Sequence, residues 1–270
     1  MSVRFYKPHP AMRPYVQNLG YINLAPGLDG DANFDFFPHG FSGLILNLAP
    51  DRMIYDAVQD CELKTFFRFS GQFDSHRTYR CRTAHFVFIN FTPYGAYFLL
   101  GLPQDEFRNS KIEMEDIFPK LKAFCTLLED LGSNADVILR VLQSWLLQKA
   151  RSVTSTSCGT MEYAISRIRQ GSGTASVRNL CSDVAMSITS LEDHFKEKIG
   201  LTPKMYSRIE RFNQCLRFIQ TRPEMSWCDI AQEFGYFDQN HFIREFKRFY
   251  GYTPSLMQSS EWNMSKLITL

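Results

Sequence analysis

The sequence predicts an α+β chain of more than one domain, with a β-rich barrel or sandwich in the first half and an all-α domain in the second. Three observations carry this. The chain has 270 residues, which suits two domains of ordinary size. Its apolar pattern changes from short aromatic and β-branched runs to a three-and-four spacing after Glu115. An internal repeat fills the carboxyl-terminal part. Hydrophobic residues at 44% and charged residues at 21% are globular values and exclude a largely disordered chain. Of 24 Phe, 16 precede residue 150, so the front half should bury an aromatic core. The net charge of +2 points to no particular partner. Residues 1–157 hold 16 basic and 16 acidic side chains and the rest hold 14 and 12, too even for a basic stripe.

Strand signals run over Tyr15–Asn23, Phe34–Phe37, Phe41–Ala49, Lys64–Ser70 and Tyr79–Phe91. Turn chemistry separates them, in Pro26-Gly27, Asp29-Gly30-Asp31, Pro38-His39-Gly40 and Pro50-Asp51. The long uncharged run from Phe86 to Gln104 is broken by Asn90, Thr92, Pro93, Tyr94 and Gly95. It is predicted as two buried strands around a turn rather than a membrane span. The first residues lack an apolar export core, and seven scattered cysteines with no CxxC predict reduced thiols in a cytoplasmic protein.

From Glu115, Ile117, Leu121, Phe124, Leu128 and Leu131 step by four and three along one helix face. Gly132-Ser133-Asn134 ends it, and Ile138, Val141, Leu142, Trp145 and Leu146 mark a second helix. This pair packs on its own barrel or forms a dimer seam through Leu121, Phe124, Leu128 and Leu131, or does both on different faces. Arg151 to Gly159 is short, polar and rich in Ser and Thr, as linkers are. The predicted organisation is therefore 1–150 (β-rich 1–110, helical pair 115–150), a linker at 151–159 and a helical domain at 160–270.

The repeat is the most informative feature. Ser187-x3-Leu191-x3-Phe195-Lys196-x3-Gly200-x-Thr202-Pro203 recurs as Asp238-x3-Phe242-x3-Phe246-Lys247-x3-Gly251-x-Thr253-Pro254, offset by 51 throughout. Upstream, Leu180-Cys181-x3-Ala185 matches Ile230-Ala231-x3-Gly235 at an offset of 50, so a turn must absorb one residue. Each copy has the pattern of a helix–turn–helix. Ser187 and Asp238 suit N-caps, Gly200 and Gly251 suit helix stops, and Thr-Pro suits the next start. Between the copies, Pro203 to Gln220 predicts one helix of roughly 27 Å. Such a strut could set two recognition helices about one DNA turn apart.

The stretch Ile230-Ala231-Gln-Glu-Phe-Gly235-Tyr236-Phe-Asp238-Gln239-Asn240-His241-Phe242-Ile-Arg244-Glu-Phe246-Lys247, continuing to Gly251-Tyr-Thr253-Pro254, resembles the signature of AraC/XylS-type bacterial transcription regulators. The resemblance covers residues 161–257 and is sharper in the second copy. It implies seven helices carrying two helix–turn–helix units. Asp35-Phe36-Phe37-Pro38-His39-Gly40 and Phe91-Thr92-Pro93-Tyr94-Gly95-Ala96-Tyr97 with Gly101 resemble, more loosely, the sensor-type domain of one AraC branch. That implies a cupin-like β-barrel with a helical pair for dimerisation. The function implied is a sequence-specific DNA-binding activator or repressor, dimeric, controlled by an effector or by dimerisation. Its partners would be double-stranded DNA and RNA polymerase.

In the second unit Gln239, Asn240, His241 and Arg244 lie near the exposed helix start. Asn and Gln suit bidentate pairing with adenine, and Arg with guanine. In the first unit the exposed positions are Thr189, Ser190, Glu192 and Asp193. Two carboxylates there oppose phosphates, unless Lys196 neutralises them at i,i+4 and i,i+3 or one of them accepts from cytosine. Lys196, Lys204, Arg208, Lys247 and Arg248 are candidate phosphate contacts.

No catalytic constellation stands out. His9, His39, His76 and His85 lack the His-x-His spacing of metal-binding cupins, and there is no phosphate loop or nucleophile elbow. Neither a cofactor nor a metal is expected. DNA-repair methyl acceptors with similar helices need clustered cysteines, which this chain does not have. The Phe-rich barrel could enclose a small apolar effector against Phe36, Phe66, Phe88, Phe91 and Tyr97. The alternative is a small-molecule-binding protein or enzyme with a vestigial DNA-binding domain, to which Glu192-Asp193 lends support.

Overall fold

The computed structural model describes residues 2–24, 32–153 and 159–259. Its strands are β1 (Ser2–Tyr6), β2 (Val16–Leu24), β3 (Ala32–Phe36), β4 (Gly43–Asn47), β5 (Met53–Asp56), β6 (Cys61–Lys64), β7 (Phe67–Ser70), β8 (Arg77–Cys81), β9 (Ala84–Phe91) and β10 (Lys111–Glu113). They make a six-stranded sheet, ordered β1-β2-β9-β4-β7-β10, and a four-stranded sheet, ordered β3-β8-β5-β6. All the pairings are antiparallel. The turns predicted at Pro26-Gly27 and Asp29 to Asp31 lie outside the described residues.

The two-residue period of a strand sorts the larger sheet into two faces. Leu19, Leu44, Leu46, Phe67, Phe69, Val87, Ile89 and Phe91 turn to one side and join a core with the helices. Ile22, Ile45, Phe86, Phe88, Asn90 and Lys111 turn to the other and, with Phe36, Ile54, Tyr79 and Cys81 of the smaller sheet, line a cavity between the sheets. The register sets Leu44 beside Ile89 and Ile45 beside Phe88, which keeps the faces separate across strands.

Two predicted strands prove to be pairs. Lys64–Ser70 divides into β6 and β7, and Tyr79–Phe91 into β8 and β9, with the members of each pair in different sheets. A run of uniform hydrophobicity hides such a corner. The second strand expected within Phe86 to Gln104 is instead helix α1 (Gly95–Leu100). Ala96, Leu99 and Leu100 bury one face at i, i+3 and i+4, a period too short to read in so brief an apolar run.

The helix expected from Glu115 to Leu131 is interrupted. Pro119 has no N–H to continue the ladder, so α2 (Met114–Ile117) ends and a 3-10 turn at Pro119–Leu121 leads into α3 (Lys122–Asp130). Helix α4 (Ala135–Ser152) follows, capped by Asn134, whose Oδ1 accepts from the Val137 N–H at 3.2 Å. Of the predicted linker, residues 154–158 lie outside the described residues.

The remaining helices are α5 (Gly159–Gln170), α6 (Val177–Asp183), α7 (Ile188–Ile199), α8 (Pro203–Thr221), α9 (Trp227–Glu233), α10 (Gln239–Tyr250) and α11 (Pro254–Ser259). They share one core, in which Leu191, Phe195, Tyr206, Phe212, Phe242, Phe246 and Phe249 are fully buried. That core also takes in Phe37 and Tyr94 from the β-rich part. Phe37 stacks on Tyr250 with centroids 4.4 Å apart and planes 11° from parallel. The Asn213 amide donates to the Pro38 carbonyl at 3.2 Å, and Tyr97 donates to Glu197 at 2.8 Å. Gly40 has φ +76, and a Cβ there would stand 2.9 Å from the Tyr206 ring, so glycine lets the two parts close on each other.

His39, in the same loop, stacks on Phe41. Burial, assisted by the Arg217 charge, pushes its imidazole down to about 4, and burial also lowers His85. A base whose folded pKa lies below its free value of about 6.5 favours the fold above that pH and loses the contribution as pH falls. We therefore expect the melting temperature to drop between about pH 6.5 and 4, and His39→Gln to flatten part of that drop. An unchanged slope in the variant would rule this imidazole out as a source.

Candidate nucleic-acid interface

Helices α6 and α7 form one helix–turn–helix unit, and α9 and α10 form the other. The first helix of each has 7 residues and the second has 12. The one-residue slip in the repeat falls in the turns. Ser187 accepts from the Ser190 N–H at 3.1 Å and Asp238 from the His241 N–H at 2.6 Å, capping the second helices as their residue types dictate. Both helices end on left-handed glycines, Gly200 and Gly251. The turns differ chemically, because Gly235 takes φ +65 where the first unit must force Ala185 to φ +53.

On α10 the exposed side chains are Gln239, Asn240, Arg244, Lys247 and Arg248. His241 is half-buried, with its Nδ1 accepting from the Phe237 N–H at 3.4 Å. Phe237 itself is 92% exposed at the mouth of the turn, an apolar ring beside the polar face that the sequence reading passed over. The opposite side of α10 holds a second residue it missed. Glu245 is 3% exposed and takes charge-assisted hydrogen bonds from Arg208 and, at 2.6 Å, from Arg211, both on α8. Its spacing from Phe242, Phe246 and Phe249 was the available signal, since 242, 245, 246 and 249 fall on one face. Arg211 also lies over the Tyr236 ring, 4.1 Å from its centroid.

On α7, Thr189 and Asp193 are exposed, while Ser190, Glu192 and Lys196 are half-buried. Lys196 Nζ stands 3.9 Å from Glu192 and 3.8 Å from Asp193. The two carboxylates thus share a cation on their own helix.

Two candidate phosphate contacts need correction. Arg208 is committed to the buried Glu245, and Arg248 turns to the β-rich part, where its Nε donates to the Asp74 carbonyl at 3.3 Å. Both are drawn away by carboxylates that a sequence pattern does not reveal. Lys204 is exposed, and with Arg208, Arg211 and His241 it lines an open groove between α8 and α10.

The proposed effector residues divide. Phe36 and Phe88 line the inter-sheet cavity. Phe91 does not, because strand alternation turns it with Val87 and Ile89 into the helix-facing core. Phe66 lies under the Arg52 guanidinium, 4.1 Å from the ring centroid. Tyr97 belongs to the contact with α7. The cavity adds Lys111, which the sequence reading did not single out. Of the dimer candidates, Leu128 is sealed in the chain's own core and offers nothing to a partner, while Leu121, Phe124 and Leu131 are half-buried against that core.

Two substitutions test this geometry. Glu245→Gln leaves two arginines without their carboxylate and should cost about 3 kcal/mol, read by chemical denaturation. Ala185→Gly relieves a left-handed alanine and should stabilise by up to about 1 kcal/mol, net of the added freedom of the unfolded chain. A loss of stability in the second variant would mean that the turn is not strained.

Residues 180–260 match a family model described as a helix-turn-helix domain, and residues 4–113 match one described as a domain of unknown function (DUF6597). The chain is 34% identical over 70 residues to the HTH-type transcriptional activator RhaS of Escherichia coli O1:K1 / APEC, a stretch covering 26% of this chain and 25% of that protein. RhaS of Escherichia coli O45:K1 (strain S88 / ExPEC) gives the same figures. The match thus spans a quarter of the length of these relatives. Among solved structures, ToxT from Vibrio cholerae O395 is 9% identical at a TM-score of 0.44, covering 91% of this chain and 97% of that one. Unsaturated fatty acid bound wild-type ToxT from Vibrio cholerae strain SCE256 is 11% identical at 0.45, covering 88% and 93%. The AraC-like transcriptional activator CuxR is 15% identical at 0.33, covering 82% and 80%. These structural likenesses are loose. The matched model lies over the twin helix–turn–helix units joined by one long helix, so this part of the chain is a helix-turn-helix domain.

Proposed function

We propose that this protein is a sequence-specific transcription regulator that reads double-stranded DNA through α7 and α10. The observation that carries the reading is the pair of matched units, each presenting an exposed face on its second helix. RhaS, named as a transcriptional activator, supports it. Gln239, Asn240, His241 and Arg244 are the base-reading set, with Arg244 suited to guanine and Asn240 or Gln239 to adenine. Lys247 and Lys204 meet phosphates, which position the protein without reading sequence.

Thr189, Ser190, Glu192 and Asp193 of α7 make the weaker contacts, because Lys196 is spent on its own neighbours. Occupancy therefore depends on a second copy, an effector or RNA polymerase. A homodimer seam is proposed on the outer side of α3 and α4, where Phe124, Val137, Val141 and Trp145 line an open groove. Residues 1–150 would sense or dimerise, 151–159 would link, and 160–270 would read DNA. No helix among the described residues is long and apolar enough to cross a membrane, in keeping with a cytoplasmic regulator. The enzyme reading loses its best support once Glu192 and Asp193 are paired with Lys196.

Arg244→Ala should weaken specific binding by ~1–3 kcal/mol and relax preference at one base pair, read by selecting bound sequences from a random duplex pool. Glu192→Gln with Asp193→Asn should raise affinity for any duplex and steepen its fall with salt. Absence of DNA binding at low salt by the full chain would overturn the regulator reading.

A further inference from the structure

The cavity between the sheets has an unusual end. Its walls are apolar, formed by Ile22, Ile45, Ile54, Phe86 and Phe88. Yet Lys111, on the cavity face of β10, places its ammonium among aromatic rings, 3.5 Å from the Tyr79 centroid and 4.7 Å from that of Phe36. No carboxylate among the described residues comes within ion-pairing distance of it. Glu113, on the same face of β10, is held by Arg68 at 2.8 Å. Asp56 favours the lysine charge from farther off, but its Oδ1 accepts from the Val58 and Gln59 N–H groups. Burial, with the charges of Arg68 and Arg77, pushes the Lys111 amine down to about 7.

A second cation adds an independent observation. Arg77, the first residue of β8, has a buried Nε with no acceptor, and its guanidinium lies 5.4 Å from the Phe73 ring centroid. Lys111 Nζ lies 5.8 Å from the same centroid. Lys111, which lines the chamber, and Arg77, just beyond its lining, thus flank one ring, with the Arg77 Nε lacking an acceptor. Burying such groups unpaired is unfavourable, and a ligand oxygen that accepts from them removes the penalty. Cation–π attraction to the rings offsets only part of it.

We propose that this cavity is a binding site for a small apolar carboxylate, with Lys111 pairing the carboxylate, Arg77 supporting it, and the hydrocarbon body lying against Ile45, Ile54 and Phe88. The cavity holds about 80 Å³, roughly half of the ~150 Å³ apolar cavity that accepts benzene. A short branched body fits best, and a cyclic or longer one must extend through the mouth. The assignment names the effector class for the regulator proposed above and rests on that reading for its biological role. The binding itself needs no DNA.

The test is titration calorimetry on the full chain with 3-methylbutanoate and benzoate, each beside its neutral amide. The carboxylate of at least one pair should bind at least tenfold tighter than its amide. That preference should fall to about one in Lys111→Met and persist in Lys111→Arg, with circular dichroism confirming both folds. Ile54→Trp, which fills the chamber, should abolish binding of acid and amide alike. Equal affinity for acid and amide, a preference that survives Lys111→Met, or no binding of either acid at millimolar concentration overturns the proposal. Duplex binding measured on the same preparation reports separately on the regulator reading, so either idea can fail alone.

Discussion

The helical half is organised around one buried carboxylate. Glu245 sits on the inner side of α10 and joins it to Arg208 and Arg211 on α8. An ion group of this kind is a poor source of net stability, because desolvating three charges offsets much of their attraction. Its effect is directional. A helix held only by Phe242, Phe246 and Phe249 could roll or slide on α8 with little change in buried area, whereas a carboxylate between two guanidinium groups fixes rotation and register together. Gln239, Asn240 and Arg244 keep a defined outward bearing because the residue behind them is locked.

The same logic, with different chemistry, governs the sheets. Strand alternation gives the larger sheet one face committed to Leu, Val, Ile and Phe against α1 and α4, and another facing the chamber. The second face carries polar and charged groups at Asn90, Arg68, Glu113 and Lys111. Asn90 is satisfied by Asn18, to which its amide donates at 2.8 Å, and Arg68 by Glu113. Lys111 and the Arg77 Nε are the basic groups left over, which is why that end of the chamber differs from its walls.

How much of this was legible in the sequence follows from how local each feature is. The helix–turn–helix pairs could be read because their determinants lie within one continuous stretch: Ser187 and Asp238 as caps, Gly200 and Gly251 as stops, and an apolar period between them. The corners separating β6 from β7 and β8 from β9 could not, since a strand that changes sheets keeps its composition. Arg208 and Arg248 read as free cations because their partners, Glu245 and Asp74, lie 37 and 174 residues away. Phe91 and Phe88 are indistinguishable by type, and only register assigns them to opposite faces. Lys111 follows Ser110 in what reads as a polar turn, and nothing local marks it as lining a cavity.

Consider finally the short stretch from Phe73 to Arg77. Asp74 holds the side chain of Arg248 near the end of α10, and the His76 N–H donates to the Arg248 carbonyl at 3.3 Å. Arg77, the very next residue, carries the orphaned Nε near Phe73, beside the Lys111 end of the chamber. The residue that holds the end of α10 and the residue whose side chain stands beside the chamber are therefore neighbours in one chain, so a substitution in this short stretch bears on both parts of the molecule.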